Sequence, residues 1–414
     1  MNEGIDVAVV GGGPCGSFAA LTAAKLGAKV AVCEEHKEVG VPAHCPGHVS
    51  VRGLKLLGLD LPRRIVENEI RGAIFYSPSG KEFTIRCSSP VTVVVNRELF
   101  DQHLSTIATK AGVQYMLQAR VESMLFDSGF AKGVVLRKKD GEETLESKVV
   151  IDAEGCSSPL LRRVNMETLD RSMLVRGINA EVDSVENVDE DRVEVYFGQS
   201  YAPVFFAWII PRKDAAAKIG LATRIGNPRE YLNRFMRKHP IASKRLRRSE
   251  ITKLSFHPIS LGGAIPKTYS SGLLVVGDSA SQVKPTTGGG IIFGLLCSKL
   301  AGEIAYEAVK NNDFSESFMS QYQTLWKKQI DFDLKAARQL RLMLNRIPDD
   351  KMDNIIDLSA RFGLDQALEE AGDLDFEGRS LVRMARYPAA WMVAFYSFFS
   401  SITSKPLARI HGKM

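Results

Sequence analysis

The feature that most constrains the fold is a glycine-rich turn near the N-terminus. It follows a short apolar segment, residues 6–10 (DVAVV), and precedes residues 17–26, whose small side chains have the pattern of a helix. A second strand pattern follows at residues 29–33 (KVAVC). This strand–turn–helix–strand order is the context that a dinucleotide fingerprint requires. The chain is therefore predicted to begin with a Rossmann-like nucleotide-binding unit.

The turn reads GGGPCG over residues 11–16, which gives the GxGxxG spacing. Gly11 allows the tight turn, Gly13 lets the backbone approach a pyrophosphate, and Gly16 permits close packing of helix against strand. The following helix N-terminus faces the negative charge of the nucleotide. Glu34, at the end of the second strand, is predicted to accept hydrogen bonds from the adenosine ribose. The adjacent Glu35 is predicted to be a solvated surface acid.

A second signal, far along the chain, favours FAD over NAD. Residues 272–285 (GLLVVGDSASQVKP) predict a buried strand that delivers Asp278 to a loop, where its carboxylate would accept from a ribityl chain. Residues 286–291 (TTGGGI) then open a helix, predicted over residues 288–309, whose free amides would face the pyrimidine edge of a flavin. Such distant returns to one nucleotide site suit an elongated FAD. Residues 151–158 (IDAEGCSS) also resemble the DG motif of para-hydroxybenzoate-hydroxylase-like flavoproteins, with Glu154 in the usual place of an aspartate.

The spacing of these segments predicts a discontinuous domain organisation. The expected fold is α/β with α+β elements: a Rossmann-like FAD-binding domain of the para-hydroxybenzoate hydroxylase type, an interleaved β-sheet substrate domain and a C-terminal helical region. The predicted boundaries are 1–67, 95–165 and 256–310 for the FAD-binding domain, 68–94 and 166–255 for the substrate domain, and 311–414 for the helical domain. A chain of 414 residues is long enough for this architecture.

Charge and cysteine usage bound the class of partner. The formal net charge of +6 is too small an excess to indicate nucleic acid, and no basic motif with interleaved aromatics is present. The six cysteines contain no CxxC pair, so neither a disulfide framework nor a metal site is predicted. The first residues lack the pattern of a secretion signal. We therefore expect a cytoplasmic protein.

Four segments resemble the geranylgeranyl reductase family, whose archaeal members reduce digeranylgeranylglycerophospholipids. They are the GGGPCGS turn with Glu34, residues 41–47 (VPAHCPG), residues 96–101 (NRELFD) and the segment GDSASQVKPTTGGGI. The resemblance runs from residue 6 to about residue 305. It implies FAD contacts, several through backbone atoms, at a set of positions that extends the glycine turn: Cys15, Glu34, Cys45, Pro46, Gly47, Arg97, Val121, Asp278, Gly288, Gly289, Gly290 and Ile291.

Two of these positions have implied roles beyond simple contact. Cys45 resembles a cysteine that the family places near the flavin, where its thiol would position the ring or supply a proton; a buried, inert cysteine is the alternative. Arg97, at the start of a predicted helix over residues 97–111, would reach the cofactor phosphates or ribose. A surface helix residue is the alternative for Arg97.

The family also has a substrate-cavity signature similar to PxxYxWxFP. Here residues 203–211 read PVFFAWIIP, which keeps Pro203, Trp208 and Pro211 but places Phe206 where the signature has tyrosine and Ile210 where it has phenylalanine. In a strand, alternation puts Phe206, Trp208 and Ile210 on one face, an apolar wall suited to a prenyl chain. Core packing explains the same residues equally well.

The preferred function is FAD-dependent reduction of C=C double bonds in geranylgeranyl chains of isoprenoid lipids, with protonation of the second carbon. One alternative is an aromatic monooxygenase or halogenase, because residues 203–211 also fit the halogenase pattern WxWxIP except at Phe206. Halogenases additionally need a lysine between flavin and substrate, and the sequence assigns none. A second alternative is a flavin-binding electron carrier without an organic substrate.

The partners are predicted more coarsely. The electron donor is NAD(P)H, ferredoxin or a deazaflavin, and the absence of a second nucleotide fingerprint leans towards a non-nicotinamide donor. Residues 387–402 (YPAAWMVAFYSFFSSI) are apolar and aromatic but short for a transmembrane helix, so they are predicted either to pack on the helical domain or to lie on the inner face of the cell membrane. A basic run at residues 234–248 is predicted to be a solvated helix face or a contact for lipid phosphates. The prenyl substrate, the number of bonds reduced, the proton donor and the oligomeric state stay open.

Overall fold

A computed structural model describes residues 4–371, 373 and 375–403. Residues 404–414 of the helical domain predicted over 311–414 therefore lie outside the described residues. The strands, in chain order, are β1 Ile5–Val10, β2 Val30–Cys33, β3 His48–Ser50, β4 Val66–Ile70, β5 Gly72–Tyr76, β6 Glu82–Arg86, β7 Thr92–Val95, β8 Gln114–Met116, β9 Arg120–Asp127, β10 Phe130–Lys138, β11 Gly141–Asp152, β12 Leu174–Asp183, β13 Arg192–Tyr196, β14 Ala207–Pro211, β15 Ala217–Thr223, β16 Glu250–Ser260, β17 Tyr269–Ser270 and β18 Leu273–Val275.

Helices are interspersed with strands as far as β18, and after β18 the described elements are all helical. In chain order they are α1 Pro14–Leu26, α2 Val51–Leu56, α3 Arg97–Lys110, α4 Pro159–Arg163, α5 Pro228–Lys238, α6 Ala242–Arg245, α7 Ile291–Asn311, α8 Glu316–Trp326, α9 Phe332–Leu344, α10 Asp349–Arg361, α11 Leu364–Ala371, α12 Glu377–Met384 and α13 Pro388–Thr403. A π-helical turn, Lys327–Asp331, joins α8 to α9.

Local sequence explains where the helices of the nucleotide-binding unit begin and end. α1 starts at Pro14, whose missing N–H is no loss in the first turn, and ends at Gly27, which has the left-handed φ of 115°. The Asn96 side chain accepts from the Leu99 N–H and caps α3. The helix predicted from residue 288 begins later, at Ile291, because Gly288 has a left-handed φ of 72° that a helix does not accommodate.

The first sheet is the nucleotide-binding one. Its main path runs β17-β18-β11-β1-β2-β8, and β9 and β10 extend β11 as an antiparallel flap. β1 pairs in parallel with β2 and with β11, and β18 pairs in parallel with β11. α1, α3, α7 and α8 contribute to the core cluster on one face of this sheet. β11 and β18, from distant parts of the chain, therefore lie in the same sheet as β1.

The second sheet has the order β16-β12-β15-β14-β13-β5-β6 and is antiparallel except for the β13–β5 pair. α5 and α6 pack on one of its faces. The predicted boundary between residues 255 and 256 lies inside β16, which stays paired with β12 as far as Ser260. The predicted insertion at 68–94 is divided, because β5 and β6 join this sheet whereas β4 and β7 pair with β3 in a separate small sheet.

The C-terminal helices close the molecule against both sheets. α10 and α11 pack on β6, and apolar side chains from these helices, α13 and Phe83 form one core cluster. α9 and α12 pack against each other, and Phe376, just before α12, contacts Phe293 of α7. Among the described residues, no helix is both long and apolar enough to cross a bilayer.

Candidate functional site

The glycine turn forms a tight backbone cradle at the end of β1. A Cβ atom at Gly11 would lie 2.5 Å from the Ala153 carbonyl oxygen, and one at Gly16 would lie 1.9 Å from the Gly11 carbonyl oxygen. Gly11 also has a φ of 93°. Nothing lies within 4 Å of a Cβ at Gly13, so that position is open on one side. The turn therefore leaves its backbone accessible beside the α1 N-terminus, which is the arrangement that binds a pyrophosphate.

Glu34 is held at this cradle by backbone donors. Its Oε2 accepts from the Gly12 N–H at 2.7 Å, and its Oε1 accepts from the His36 N–H at 2.9 Å and lies 2.6 Å from His36 Nδ1. Glu34 is buried, whereas the Glu35 side chain is half exposed and pairs with Arg120. This is the division that the strand spacing predicts. The carboxylate of Glu34 is thus fixed where a ribose would meet it.

Val121 lies near the same end of the site. Val121 is a half-buried residue of β9. Just before this strand, the Ala119 N–H donates to the Glu34 carbonyl at 2.9 Å. Val121 therefore lies two residues along the chain from a backbone contact of Glu34. Its contact with an adenosine stays a prediction.

Cys15, Asp278 and the later glycine loop meet on the other side of the turn. A Cβ at Gly277 would lie 2.7 Å from Cys15 Sγ, and one at Gly294 would lie 2.5 Å from it. Burial, together with the nearby Asp278 carboxylate, raises the pKa of the Cys15 thiol to about 12. The Cys15 side chain is therefore a neutral packing group between α1 and α7, and only its backbone is suited to a cofactor.

The loop at 284–290 is closed by its own backbone. Gly288 N–H donates to the Lys284 carbonyl at 2.8 Å, and Lys284 N–H donates to the Gly289 carbonyl at 3.2 Å. A Cβ at Gly290 would lie 3.1 Å from Asp278 Oδ1, so the carboxylate and the start of α7 at Ile291 are adjacent. These are the groups that the sequence assigned to the flavin.

Cys45, Pro46 and Gly47 form a second loop, which we call the cysteine loop. Gly47 has a φ of 76°, and a Cβ there would lie 2.2 Å from the Val95 carbonyl oxygen. The Gly47 N–H donates to Cys45 Sγ at 3.4 Å, and the Val95 N–H donates to the Gly47 carbonyl at 2.8 Å. The loop is thus anchored to β7 and turns the Cys45 thiol back on its own backbone.

Arg97 lies beside this loop but is already paired. Its Nε and Nη2 donate to the two carboxylate oxygens of Asp101 at 3.2 and 3.1 Å. Burial opposes the charge of Arg97, yet Asp101 and Cys45 outweigh it and raise the pKa of the guanidinium. Because the bidentate pair with Asp101 orients Arg97, its predicted contact with the cofactor would use the remaining N–H groups.

Two histidines that the sequence did not single out join the cysteine loop to Asp278. The rings of His44 and His257 stack with centroids 5.7 Å apart, and His257 Nε2 lies 3.6 Å from Asp278 Oδ2. Burial lowers the pKa of His44. No sequence signal marks this pair, because His257 lies in β16 and reaches the loop only through the fold.

The residues of the predicted apolar wall pack together at β14, and their contact with a prenyl chain stays a prediction. Trp208 and Ile210 are buried in one core cluster that Phe206 packs against, whereas Ala207 and Ile209 face the core on the opposite side of the sheet. Alternation places Pro211 with Ile209, away from the wall, so its side chain is not on the predicted face.

The aromatic segment also touches the later glycine loop. Pro203 is buried in the turn before β14. Phe205, which was not predicted, stacks on Phe206 with ring centroids 4.2 Å apart. A Cβ at Gly288 would lie 3.4 Å from the Phe205 ring. The apolar wall and the loop assigned to the flavin are therefore neighbours.

Arg341 of α9 holds these two segments together and was also missed. Its guanidinium is buried and donates to the Pro285 carbonyl at 3.0 Å, to the Thr286 carbonyl, and to the Val204 carbonyl at 3.4 Å. It lies over the Phe205 ring, 4.8 Å from the centroid. Burial lowers its pKa to about 10. A lone arginine in an amphipathic helix has no sequence signal that separates it from a surface residue.

The residues present fit FAD. The chain supplies a buried carboxylate at Glu34, an open glycine turn at a helix N-terminus, and Asp278 beside a second glycine loop at the start of α7. Such a series of backbone and carboxylate groups matches a dinucleotide with a ribityl linker. Glu154 does not take part directly, because its carboxylate accepts from the Leu160 N–H at 3.0 Å and caps α4.

Comparisons with known proteins support FAD as the cofactor. Residues 4–305 match the protein family described as FAD binding domain. The chain is 33% identical over 356 residues to the digeranylgeranylglycerophospholipid reductase of Methanocaldococcus jannaschii, covering 85% of this chain and 90% of that protein. It is 34% identical to digeranylgeranylglycerophospholipid reductase 2 of Methanothermobacter thermautotrophicus, with the same coverage of 85% and 90%. A crystal structure of a geranylgeranyl bacteriochlorophyll reductase-like protein from Thermoplasma acidophilum superposes with a TM-score of 0.85 at 27% identity, covering 95% of this chain and 99% of that one.

Proposed function

The chain belongs to the digeranylgeranylglycerophospholipid reductase family, and on that premise we propose that it uses FAD to reduce C=C double bonds in the geranylgeranyl chains of an isoprenoid lipid. The observation that carries the proposal is the closeness of the Phe205 ring to Gly288, where an added Cβ would lie 3.4 Å from the ring, because Phe205 packs in one cluster with Trp208 and Ile210. A prenyl chain lying on that wall would have its double bonds next to the cofactor.

The residues of the chain bind, orient and exclude water in this reaction. Glu34 and the glycine turn would hold the adenosine and pyrophosphate, and Asp278 would hold the ribityl chain. Bound FAD supplies the hydride that the reduction needs. The apolar wall would orient the prenyl chain, and its low polarity would keep water from the reacting carbon.

The second carbon of each double bond needs a proton. We propose Cys45 Sγ as its donor, because the thiol lies on the loop that Gly47 and Val95 fix and it lines an open chamber. Cys45→Ser keeps a proton on a similar atom, whereas Cys45→Ala removes it. If Cys45 donates, product formation falls much further in Cys45→Ala than in Cys45→Ser, and equal rates in both variants contradict the role.

We also propose a lipid-facing surface, made of the exposed side chains of α12 and α13. The apolar members, Trp391, Phe395 and Val382, are 63%, 65% and 61% exposed. Arg383 and Arg386 are exposed beside them. Exposed aromatic and aliphatic side chains with arginines at their margin match the interface of an anionic membrane. Failure of the intact protein to sediment with anionic liposomes would contradict this surface.

The electron donor is one of three, and anaerobic mixing separates them. FAD-loaded protein is mixed in turn with NAD(P)H, with reduced ferredoxin and with a reduced deazaflavin, and bleaching of the flavin absorbance is followed. The physiological donor bleaches the flavin at a rate at least equal to that of turnover.

The central test is also anaerobic. The yellow protein is reduced with dithionite, digeranylgeranylglyceryl phosphate is added, and flavin reoxidation and product mass are measured together. Reoxidation with a gain of two hydrogens for each bond supports the proposal. A flavin that stays reduced until oxygen enters contradicts it and favours the monooxygenase or halogenase alternative. A flavin that passes electrons only to another protein favours an electron carrier.

A further inference from the structure

Lys218 is a buried cation that the proposed reaction does not use. It lies in β15 with 3% of its surface exposed. Its ammonium lies 2.6 Å from Glu67 Oε2 and donates to the Pro46 and Val95 carbonyls, each at 3.0 Å. Pro46 belongs to the cysteine loop, and Val95 belongs to the strand that anchors it. Lys218 of the large sheet therefore binds both the loop and its anchoring strand.

The register of the sheet explains why Lys218 points at the loop. Ile210 of β14 pairs directly with Lys218, and Ile209 pairs with Ile219. Directly paired residues place their side chains on the same face of a sheet. Ile209 and Ile219 are in the core beneath α5, so Ile210 and Lys218 lie on the opposite face, with Trp208. Lys218 therefore stands at the edge of the apolar wall, where the wall meets the cysteine loop.

A polar chamber of about 150 Å³ adjoins this point. Its lining includes Cys45, Glu67, Asn179 and Lys218. Asn179 Oδ1 has no hydrogen-bond partner among the described residues. A polar space of this size has room for several water molecules. The lining combines Cys45 of the cysteine loop with residues of β12, β15 and β16, so the loop and the sheet face each other across the chamber.

A buried ammonium is costly to desolvate unless it is fully paired, and here the pairing is extended. Glu67 compensates Lys218, Arg212 lies 3.7 Å from Glu67 Oε1, and Arg212 donates to Glu181 at 2.7 Å. Arg212 and Glu181 are half-buried and also line the chamber. The three N–H groups of the Lys218 ammonium thus have partners within the protein, and two of these partners are the carbonyls of Pro46 and Val95.

We propose that Lys218 is a positioning residue that fixes the cysteine loop, and with it the Cys45 thiol and the flavin-facing backbone of Pro46 and Gly47. The proposal rests on the proposed function for the meaning of the loop, but it concerns loop geometry alone. An apolar side chain at this place would fill the volume and leave the two carbonyls to the chamber. The loop would then lose the bond from Lys218 to Pro46, while the neighbouring His44 keeps its stacking on His257 and its carbonyl keeps the bond from Ser255 Oγ at 3.3 Å.

The test uses the full chain loaded with FAD and three variants. Lys218→Met removes the donor and keeps the length, Lys218→Arg keeps a charged donor, and Lys253→Met is the control. Lys253 also lines the chamber, but it is 45% exposed and pairs with Glu98 at the surface. The readouts are the alkylation rate of Cys45 by iodoacetamide, mapped by peptide mass, and the visible absorption spectrum of the bound flavin.

We expect Lys218→Met to raise the Cys45 alkylation rate about tenfold, the loss of roughly one buried hydrogen bond, and to shift the flavin spectrum. Lys218→Arg should recover most of the native rate, and Lys253→Met should match the native protein. An unchanged alkylation rate and spectrum in Lys218→Met, with only a lower Tm, would overturn the proposal.

If Lys218→Met does not fold, Glu67→Gln takes its place, since it removes the counter-charge and keeps an acceptor. A raised Cys45 alkylation rate in Glu67→Gln supports the proposal, and a native rate overturns it. None of these readouts uses a prenyl substrate. A chain that fails the reductase assay can therefore still pass this test, and the reverse.

Discussion

Ile210 and Lys218 are direct partners across the antiparallel pairing of β14 and β15, and both side chains lie on the sheet face that carries Trp208. An apolar wall and a buried cation thus meet within one residue pair. The wall suits a prenyl chain, while the cation binds the loop that carries Cys45. This residue pair therefore marks the boundary between the apolar cluster and the polar chamber.

The ribose acceptor at Glu34 can be tested by a change of charge alone. Glu34→Gln keeps the shape but weakens the acceptor, so the Kd for FAD should rise about tenfold to a hundredfold, the loss of about 1.5–3 kcal/mol for a hydrogen bond to a charged group. Titration of the FAD-free protein, followed by flavin fluorescence, measures this. Glu35→Gln, at the exposed neighbour, should leave the Kd unchanged. Equal Kd values in the two variants would mean that the ribose lies elsewhere.

The position of the Trp208 ring depends on Gly220. A Cβ at Gly220 would lie 2.3 Å from the Ile178 carbonyl oxygen and 2.5 Å from Trp208 Cζ2, so Gly220→Ala must move the ring or the strand. We expect kcat/KM for the prenyl substrate to fall about tenfold or more while FAD still binds, since misplacement by an ångström carries such losses. Gly4→Ala is the control, because nothing lies within 4 Å of a Cβ there. A native kcat/KM in Gly220→Ala would separate the wall from the substrate.

Arg341 should matter for stability and for the flavin loop together. Arg341→Met leaves the buried carbonyls of Pro285 and Val204 without this donor, at a cost of about 2–4 kcal/mol in the free energy of unfolding. FAD should restore less stability to this variant than to the native protein, because the loop it binds is less ordered. Thermal unfolding with and without FAD measures both effects, with the exposed Arg346→Met as the control. An equal FAD-induced rise in Tm in all three proteins would show that Arg341 is only a packing residue.

Asp152 predicts a dependence of stability on pH. It is fully buried, its Oδ2 has no hydrogen-bond partner among the described residues, and burial followed by repulsion from Glu154 raises its pKa well above the usual range. A carboxyl group with a raised folded-state pKa contributes stability below its ordinary pKa, and that stability is lost as pH rises towards the folded-state value. Asp152→Asn should remove this loss, so its stability relative to the native protein should increase as the pH rises above the ordinary aspartate pKa of about 4.

The control for Asp152 has the opposite sign. Ion pairing with Lys148 and a hydrogen bond from the Lys29 N–H outweigh burial and lower the pKa of Asp6. Its contribution is present above its ordinary pKa and is lost as pH falls through the lowered value, so Asp6→Asn should lose stability at neutral pH. Urea unfolding across the pH range tests both. Parallel pH profiles for native protein and Asp152→Asn would mean that Asp152 is ionised in the fold.

The lipid-facing surface predicts weaker vesicle binding when its aromatics are removed. Replacing Trp391 and Phe395 together by serine removes two large apolar side chains, each contributing about 1.5–3 kcal/mol when buried. Co-sedimentation with anionic vesicles should fall at least about tenfold. Phe126→Ser, at a 43% exposed phenylalanine of the nucleotide-binding sheet, is the control. Equal loss in the control would show that any exposed aromatic serves.

Features that depend on short-range geometry can be predicted from local spacing. The strand–turn–helix order, the glycines at 11, 13 and 16, and the choice of Glu34 over Glu35 follow from local spacing, because steric limits on a tight turn act within a few residues. The common face of Trp208 and Ile210 follows from strand alternation in the same way. These features were predicted without knowing what they pack against.

Contacts between distant segments are visible in the tertiary structure alone. The division of 68–94 between two sheets, the continuation of β16 past residue 255, and the bonds from Lys218 to Pro46 and from Arg341 to Pro285 all join residues far apart in the chain. A lysine in a strand or an arginine in a helix looks the same in sequence whether it faces water or a buried carbonyl. The burial that separates the two cases arises from packing between elements, which no local pattern encodes.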